Sequence, residues 1–299
     1  AKRFILSFIN TFAPSISPDL TNKPSFDDFL TKKDKNGNYT RPIAAFQPIY
    51  TAGYIQDKFA IEDLIFNIGL RVDRYDANQP VLKDKYLLYD TYTANTTKAR
   101  DLGSLSQFGE DYYVYVDDME NPSTIVGYRN GDVWYDQTGR EISNPDILEN
   151  AAGGKIAPMV KNSTDALNNE ISAGAFKDYD PQTIIMPRIA FSFPISDEAQ
   201  FFAHYDVLAR RPEGGRFSPT DYLFMQSTSD PLISNPDLKP SQTVDYEIGF
   251  QQKLNSYSSL KIATFYREMK DQVQITRVLD AYPTSYRTFG NLDFGTTKG

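Results

Sequence analysis

The chain has no cysteine and a single histidine, His204. Disulfide staples and thiolate metal sites are therefore excluded, and thiols that would oxidise outside the cytoplasm are absent as well. A basic excess is also missing: 31 Lys and Arg stand against 39 Asp and Glu, for a net charge of −8. Binding to nucleic acid through phosphate neutralisation needs the opposite balance, so no nucleic-acid partner is expected. No apolar run approaches the ~20 residues of a membrane helix, and only 40% of the 299 residues are apolar. With one histidine, no cysteine and no Gly-x-Ser-x-Gly turn, nucleophilic hydrolysis lacks its apparatus, and the spacing of the acids singles out no glycosidase pair. The chain reads as a non-enzyme that carries no cofactor and no metal.

What is abundant is aromatic residues, 20 Tyr and 20 Phe, arranged in a period of two. Leu64, Phe66, Ile68, Leu70 and Val72 alternate with mostly polar or small residues. So do Pro187, Ile189, Phe191, Phe193 and Ile195, and Val244, Tyr246, Ile248 and Phe250. That pattern belongs to strands with one apolar and one wet face. Short turns are expected at Asp57 to Ala60, Ser196 to Ala199 and Asn255 to Ser258. Long polar connections are expected at Ala13 to Ala45, Asp76 to Thr183, Pro212 to Ser241 and roughly Gln272 to Tyr286. Strict alternation of short and long connections marks a transmembrane β-barrel. The expected fold is thus all-β, an antiparallel transmembrane β-barrel with long extracellular loops. The aromatic content also suits a secreted, soluble β-protein that binds glycans.

Eight strands are expected: Arg3 to Phe12, Phe46 to Gln56, Ile61 to Tyr75, Ile184 to Ile195, Gln200 to Arg211, Gln242 to Leu254, Ser259 to Asp271, and Arg287 onward. About 12 residues, tilted by roughly 40°, span the ~25 Å apolar band of an outer-membrane barrel. The lumen face should hold Asn67, Gly69, Arg71 and Asp73 on one strand, and Thr243, Asp245, Glu247, Gly249 and Gln251 on another. Pro187 and Pro194 lack a ladder donor and belong near the ends of hydrogen-bonded segments. In the longest connection, Asn130-Gly131 lies between aromatic and β-branched residues and predicts a hairpin over Tyr128 to Tyr135. Asp136 to Gly139 forms a second turn, and Ser163 or Thr164 would cap a short helix. The chain divides into barrel strands and a first loop (1–75), a large extracellular loop (76–183) and further barrel strands (184–299). At the start, Phe4, Leu6 and Phe8 would share a strand face. Ala1-Lys2-Arg3 and the residues after it do not form a signal peptide, so the sequence reads as a piece of a longer protein.

Asn235-Pro236-Asp237-Leu238-Lys239-Pro240 followed by Asp245-Tyr246-Glu247-Ile248-Gly249-Phe250 closely resembles a signature in the barrels of TonB-dependent outer-membrane receptors. Leu260 to Tyr266 leading to Lys270-Asp271-Gln272-Val273, Phe289-Gly290-Asn291, Gly53 to Phe59 and Asn67 to Asp73 are similar to further hairpins of that family, with the flavour of receptors from Bacteroidetes. The resemblance implies a bacterial outer-membrane importer of a glycan, peptide or metal chelate, powered by the TonB complex through a plug domain. It also implies contact with lipid or lipopolysaccharide and a possible surface lipoprotein lid. The sequence departs from the family's pattern in having no TonB box, no plug and no terminal aromatic strand. Large plugged barrels have about 22 strands, so the chain is expected to be a fragment, the C-terminal part of such a barrel. An outer-membrane scaffold or adhesin would use the same barrel.

The candidate ligand-binding residues are Trp134, Tyr135, Tyr128 and Tyr113 of the long loop, with Tyr112 and Tyr115 beside them. Rigid aromatic faces stack on sugars or clamp peptides; they also pack a hairpin. Arg71 and Arg210, with Arg188 and Arg211, suit an anionic ligand or inter-strand charge pairs. His204 has no second histidine within ligand spacing. Asp117, Asp118 and Glu120 do not match a calcium loop and read as a solvated acidic turn.

Overall fold

The computed structural model describes the backbone of residues 3–12 and the whole of residues 24–299. The expected facing of Phe4, Leu6 and Phe8, and residues 13–23 of the first connection, lie outside the described residues. Eight long strands follow the expected positions: β1 (Arg3–Phe12), β2 (Ile49–Ile61), β3 (Leu64–Asp76), β10 (Gln182–Ser196), β11 (Ala199–Arg210), β13 (Ser241–Asn255), β14 (Ser258–Val278) and β15 (Tyr286–Lys298). They form one sheet in the order β1-β2-β3-β10-β11-β13-β14-β15, every neighbouring pair antiparallel. A two-residue strand, β12 (Leu232–Ile233), extends β15 in parallel. Consecutive strands are neighbours throughout, as in an up-and-down barrel wall, and the sheet does not close on itself.

Two expected boundaries move. The first hairpin turn is Glu62-Asp63, not Asp57 to Ala60, because β2 continues to Ile61 and pairs it with Leu64. Glu62 takes a positive φ of 53° there, and the longer register brings Phe59 onto Phe66, ring centroids 5.3 Å apart. A turn at Asp57 would forfeit that contact. Strand β14 runs 21 residues, well past the expected end at Asp271, so the connection to β15 is only 279–285. Asp271 itself adopts a φ of 54° at an irregularity between Met269 and Val273, and the ladder resumes beyond it. Pro194 behaves as anticipated, at an irregularity near the end of the β10–β11 ladder. Pro187 does not: it lies inside β10, opposite Leu70 in the middle of the β3–β10 ladder, and is accommodated because the β10–β11 ladder begins only at Arg188.

The apolar face of this wall is the exposed one. Ile68 is 41% exposed, Ile248 50% and Ile262 61%, whereas Asp73 and Asp245 on the opposite face are 5% and 9% exposed. Leu64, Phe66 and Phe250 are part-exposed. On the exposed face Leu64 to Val72 spans about 27 Å of strand, roughly 21 Å when tilted as in a barrel, and the next residue outward is the exposed Arg74. Aromatic rows cross the same face: Phe59, Phe66, Phe191 and Phe201 with neighbours 5.3 to 6.3 Å apart, and Tyr205, Tyr246 and Tyr266 at 5.1 and 6.3 Å.

All the long connections lie at one end, and they fold together. The connection 77–181 holds β4 (Pro80–Leu82) paired with β9 (Phe176–Asp178). It also holds a four-stranded sheet of β5 (Tyr113–Val116), β6 (Ile125–Asn130), β7 (Val133–Asp136) and β8 (Glu141–Ile142). Gly131, with φ 55°, makes the turn between β6 and β7, and the Asp136 to Gly139 turn leads into β8. The short helices are α1 (Phe26–Thr31), α2 (Thr97–Asp101), α3 (Asp146–Ala151), α4 (Ser163–Leu167) and α5 (Pro219–Phe224). Helix α4 is capped by Asn162, one residue before the expected cap, whose side chain accepts from the Asp165 amide. One apolar core gathers Phe29 and Leu30 of α1, Leu88, Tyr89 and Phe176, Tyr222, Met225 and Ile233, and Val278, Ala281 and Tyr286. Four separate connections thus bury a common interior. Burial of apolar area is what holds them.

Candidate lumen wall and its cap

On the polar face, register alone sets the chemistry. In β10, β11, β13 and β14, the residues Arg188, Asp206, Asp245 and Arg267 are consecutive cross-strand partners. Asp206 and Asp245 stand directly opposite each other, an unfavourable pairing of like charge. Flanking arginines offset it: Arg188 Nε lies 3.2 Å from Asp206 and Arg267 Nη2 lies 2.5 Å from Asp245. In the next row His204 stands opposite Glu247 at 3.9 Å, and Lys261, from the row of Gln251, reaches the same carboxylate at 3.9 Å. On β2 and β3, Arg71 donates to Asp73 at 2.7 Å and to the Tyr50 hydroxyl at 2.9 Å, while Tyr50 donates to Asp73. Hydrocarbon would not tolerate this face. It is fitted to a wet interior.

The wall is tight where Gly249 sits. A Cβ there would overlap the Phe202 ring and come within 2.9 Å of the Ile262 carbonyl oxygen. Phe202 lies across the glycine with Lys261 Nζ 4.5 Å from its ring.

The loop aromatics are divided between two cores on opposite faces of the small sheet. Tyr128, 1% exposed, packs with Phe108, Val114 and Val116 and accepts the Leu105 amide at 3.0 Å. Tyr135 is half-buried beside Phe108 and Tyr112. Trp134 is buried on the other face with Tyr115 and Leu148, and Tyr113 is half-buried next to it. Between them lies a residue that no sequence pattern singled out. Arg129 is fully buried, with its guanidinium 4.4 Å from the Tyr86 ring, 5.2 Å from Tyr113 and 5.5 Å from Trp134. It donates to both oxygens of Asp84 at 2.6 and 3.0 Å and to the Tyr115 hydroxyl at 2.9 Å. Cation and ring quadrupole attract, so these aromatic faces already hold a cation of the chain's own. Burial opposes its charge, but Tyr115 and Asp84 outweigh that and hold it above the ordinary arginine range. Burial also pushes the Tyr115 hydroxyl up to about 12.

The remaining candidates are scattered. Arg210 is exposed and pairs with Glu213, and Arg211 lies over the Tyr50 ring at 5.1 Å. Asp117 binds Ser123 and Thr124, and Asp118 accepts the Glu120 and Asn121 amides. These acids serve turns. Among the described residues no group of three His, Cys, Asp or Glu side chains is placed to hold a metal ion, and no helix is long and apolar enough to cross a membrane.

The profile of the family described as TonB dependent receptor-like, beta-barrel matches residues 10–299. The chain belongs to this family. No curated protein matches it. Among solved structures it is similar to a double mutant of the hemophore receptor HasR of Serratia marcescens in complex with its hemophore HasA and heme. That likeness has 13% identity and a TM-score of 0.44, and it covers 100% of this chain and 38% of that one. The FrpB iron transporter of Neisseria meningitidis follows at 13% identity and a TM-score of 0.38, covering 85% of this chain and 22% of that one. A mutant of the ferric enterobactin receptor PfeA of Pseudomonas aeruginosa gives 9% and 0.34, covering 89% and 34%. The chain thus spans well under half the length of these structures. In a TonB-dependent receptor barrel the exposed apolar face meets hydrocarbon, the charged face lines the lumen, and the long connections are extracellular. The charge rows follow from strand register, and the alternation of residues located them. The Arg129 to Asp84 pair joins residues 45 positions apart, and no local signal marks it.

Proposed function

We propose that this chain forms part of the lumen wall and the extracellular cap of a receptor in a bacterial outer membrane. The receptor imports a nutrient, a glycan, peptide or metal chelate, with energy that the TonB complex delivers through a plug domain. The observation that carries this reading is the inverted wall: apolar side chains exposed across contiguous strands, charged side chains paired on the face behind them. A soluble β-protein that binds glycans would turn those faces the other way.

In this reading residues 1–75 and 184–299 supply wall strands of the C-terminal part of a Bacteroidetes-type barrel, and 76–183 supplies most of the cap. Tyr113, Tyr135, Arg71 and Arg210 retain surface for a ligand. Trp134 and Tyr128 hold the shape of the cap. The outward face contacts lipid or lipopolysaccharide, and a surface lipoprotein would cover the cap from outside.

The test is growth of the bacterium that carries this receptor, with and without its gene, on a panel of glycans, peptides and ferric chelates as limiting nutrients. Loss of growth on one class, reproduced by deleting TonB, is expected. A receptor deletion that leaves growth unchanged on every class, or a growth defect that TonB deletion does not reproduce, contradicts import and favours a scaffold or adhesin.

A further inference from the structure

On the lumen face, around Gly69, the wall has a depression of about 270 Å³ lined by Tyr54, Gln56, Arg71 and Arg188. Register builds it: Gly69 has Arg188 as its direct cross-strand partner on one side and Gln56 on the other, while Arg71 and its partner Tyr54 form the next row. Both arginines are anchored through Nε, Arg71 to Asp73 at 2.7 Å and Arg188 to Asp206 at 3.2 Å. Arg71 spends Nη2 on the Tyr50 hydroxyl. Among the described residues Arg188 makes no other polar contact, and its side chain is 57% exposed. The terminal nitrogens of Arg188 and one of Arg71 are left for something else.

Gly69 itself requires explanation. Its φ is not in the left-handed region, and a Cβ would meet nothing nearer than the Ile55 carbonyl oxygen at 3.5 Å, an ordinary contact. Neither backbone conformation nor packing among the described residues demands glycine there, in contrast to Gly249. Glycine inside a strand also weakens it. What its absent side chain does is keep a space open between two guanidinium groups.

We propose that this depression holds a carboxylate, received by the free nitrogens of Arg188 and Arg71 and by the Tyr54 hydroxyl. Planar guanidinium forks match carboxylate geometry, and such charge-assisted hydrogen bonds are the strong ones. The carboxylate comes either from the imported solute, which rests on the import reading above, or from an acidic side chain of the domain that fills the lumen. The chemistry of the site is the same in both cases.

The test uses the purified full-length receptor in detergent, with citrate as the probe, read by calorimetry, and thermal melting as a second readout. Gly69→Val fills the depression and leaves both arginines with their partners, and Arg188→Gln removes the principal donor. Lys98→Gln, on the cap, is the charge control. If the solute supplies the carboxylate, the parent binds citrate saturably, and both variants weaken it by about tenfold or more, with unchanged melting in Gly69→Val, which keeps the Arg188 to Asp206 pair. If the lumen domain supplies it, the parent binds no citrate, and Gly69→Val lowers the melting temperature in a salt-dependent way. Equal citrate binding by the parent, Gly69→Val and Lys98→Gln, or no change in either readout, overturns the proposal. Neither assay needs transport, so its failure is distinct from failure of the import test.

Discussion

Arg129 shows what a single buried charge demands. Desolvating a guanidinium is costly unless every donor direction is answered, and here Asp84, Tyr115 and the Gly131 carbonyl answer it. Arg129→Met keeps the bulk and strands Asp84, so the cap should lose about 3 kcal/mol. The chain's one tryptophan, Trp134, is 5.5 Å away and reports the loss in urea unfolding followed by fluorescence. Adding Asp84→Leu should recover most of it, since removing both partners leaves no orphaned charge. A second prediction concerns Asp117. The Ser123 hydroxyl first, and the Thr124 amide next, hold its carboxyl down at about 2 from an ordinary 3.8, with burial pulling weakly the other way. The folded state favours the ionised form, so this contribution is fully present above the ordinary value and is lost as pH falls through about 2. Carboxyl NMR should place the Asp117 midpoint near 2, and Ser123→Ala should move it upward.

Between strands, Gly249 and Phe202 set how closely β11, β13 and β14 approach. Gly249→Ala forces a Cβ against the Phe202 ring and the Ile262 carbonyl. The variant should assemble less stably by about 1 to 3 kcal/mol, as overpacking does, which a lowered temperature in gel-mobility melting of the barrel would reveal. Phe202→Ala in the same chain should restore only part of it, because the backbone oxygen remains. Most of the wall was legible because alternation is local: Leu64 to Val72 and Val244 to Phe250 announce their faces without knowledge of a partner. The hairpin turn was not, since Asp57 looks like a turn residue and only the cross-strand contact of Phe59 with Phe66 shows why β2 continues. Strand β14 outran expectation for a related reason. Its upper part is held by pairing with β15, from Gln272 opposite Asp293 to Val278 opposite Tyr286, and that cross-strand ladder is not written in the strand's own residues.

Over the whole molecule, the wall and the cap follow opposite rules. In the cap, apolar residues of four connections, among them Phe29, Phe176, Tyr222 and Ala281, turn inward to one core, as in any water-soluble domain. No sequence window contains that core, so 76–183 read as a loop with a hairpin and its tertiary unity went unseen. Two further cores, one on each face of the small sheet, explain why Trp134 and Tyr128 stand inside: aromatic content alone does not separate a stacking surface from a packed interior. In the wall the apolar residues turn outward, which is stable only against hydrocarbon. Ile248→Arg should therefore cost about 2 to 4 kcal/mol in membrane-folded receptor.

The most direct measurement uses single cysteines at Ile248 and Ile262 on one face and Glu247 and Lys261 on the other, in full-length receptor otherwise free of cysteine. Each is labelled with bimane and reconstituted with brominated lipid. Strong quenching at 248 and 262 and little at 247 and 261 is the result expected. Equal quenching at all four positions, or none at 248 and 262, would contradict a wall whose apolar face is turned to the membrane.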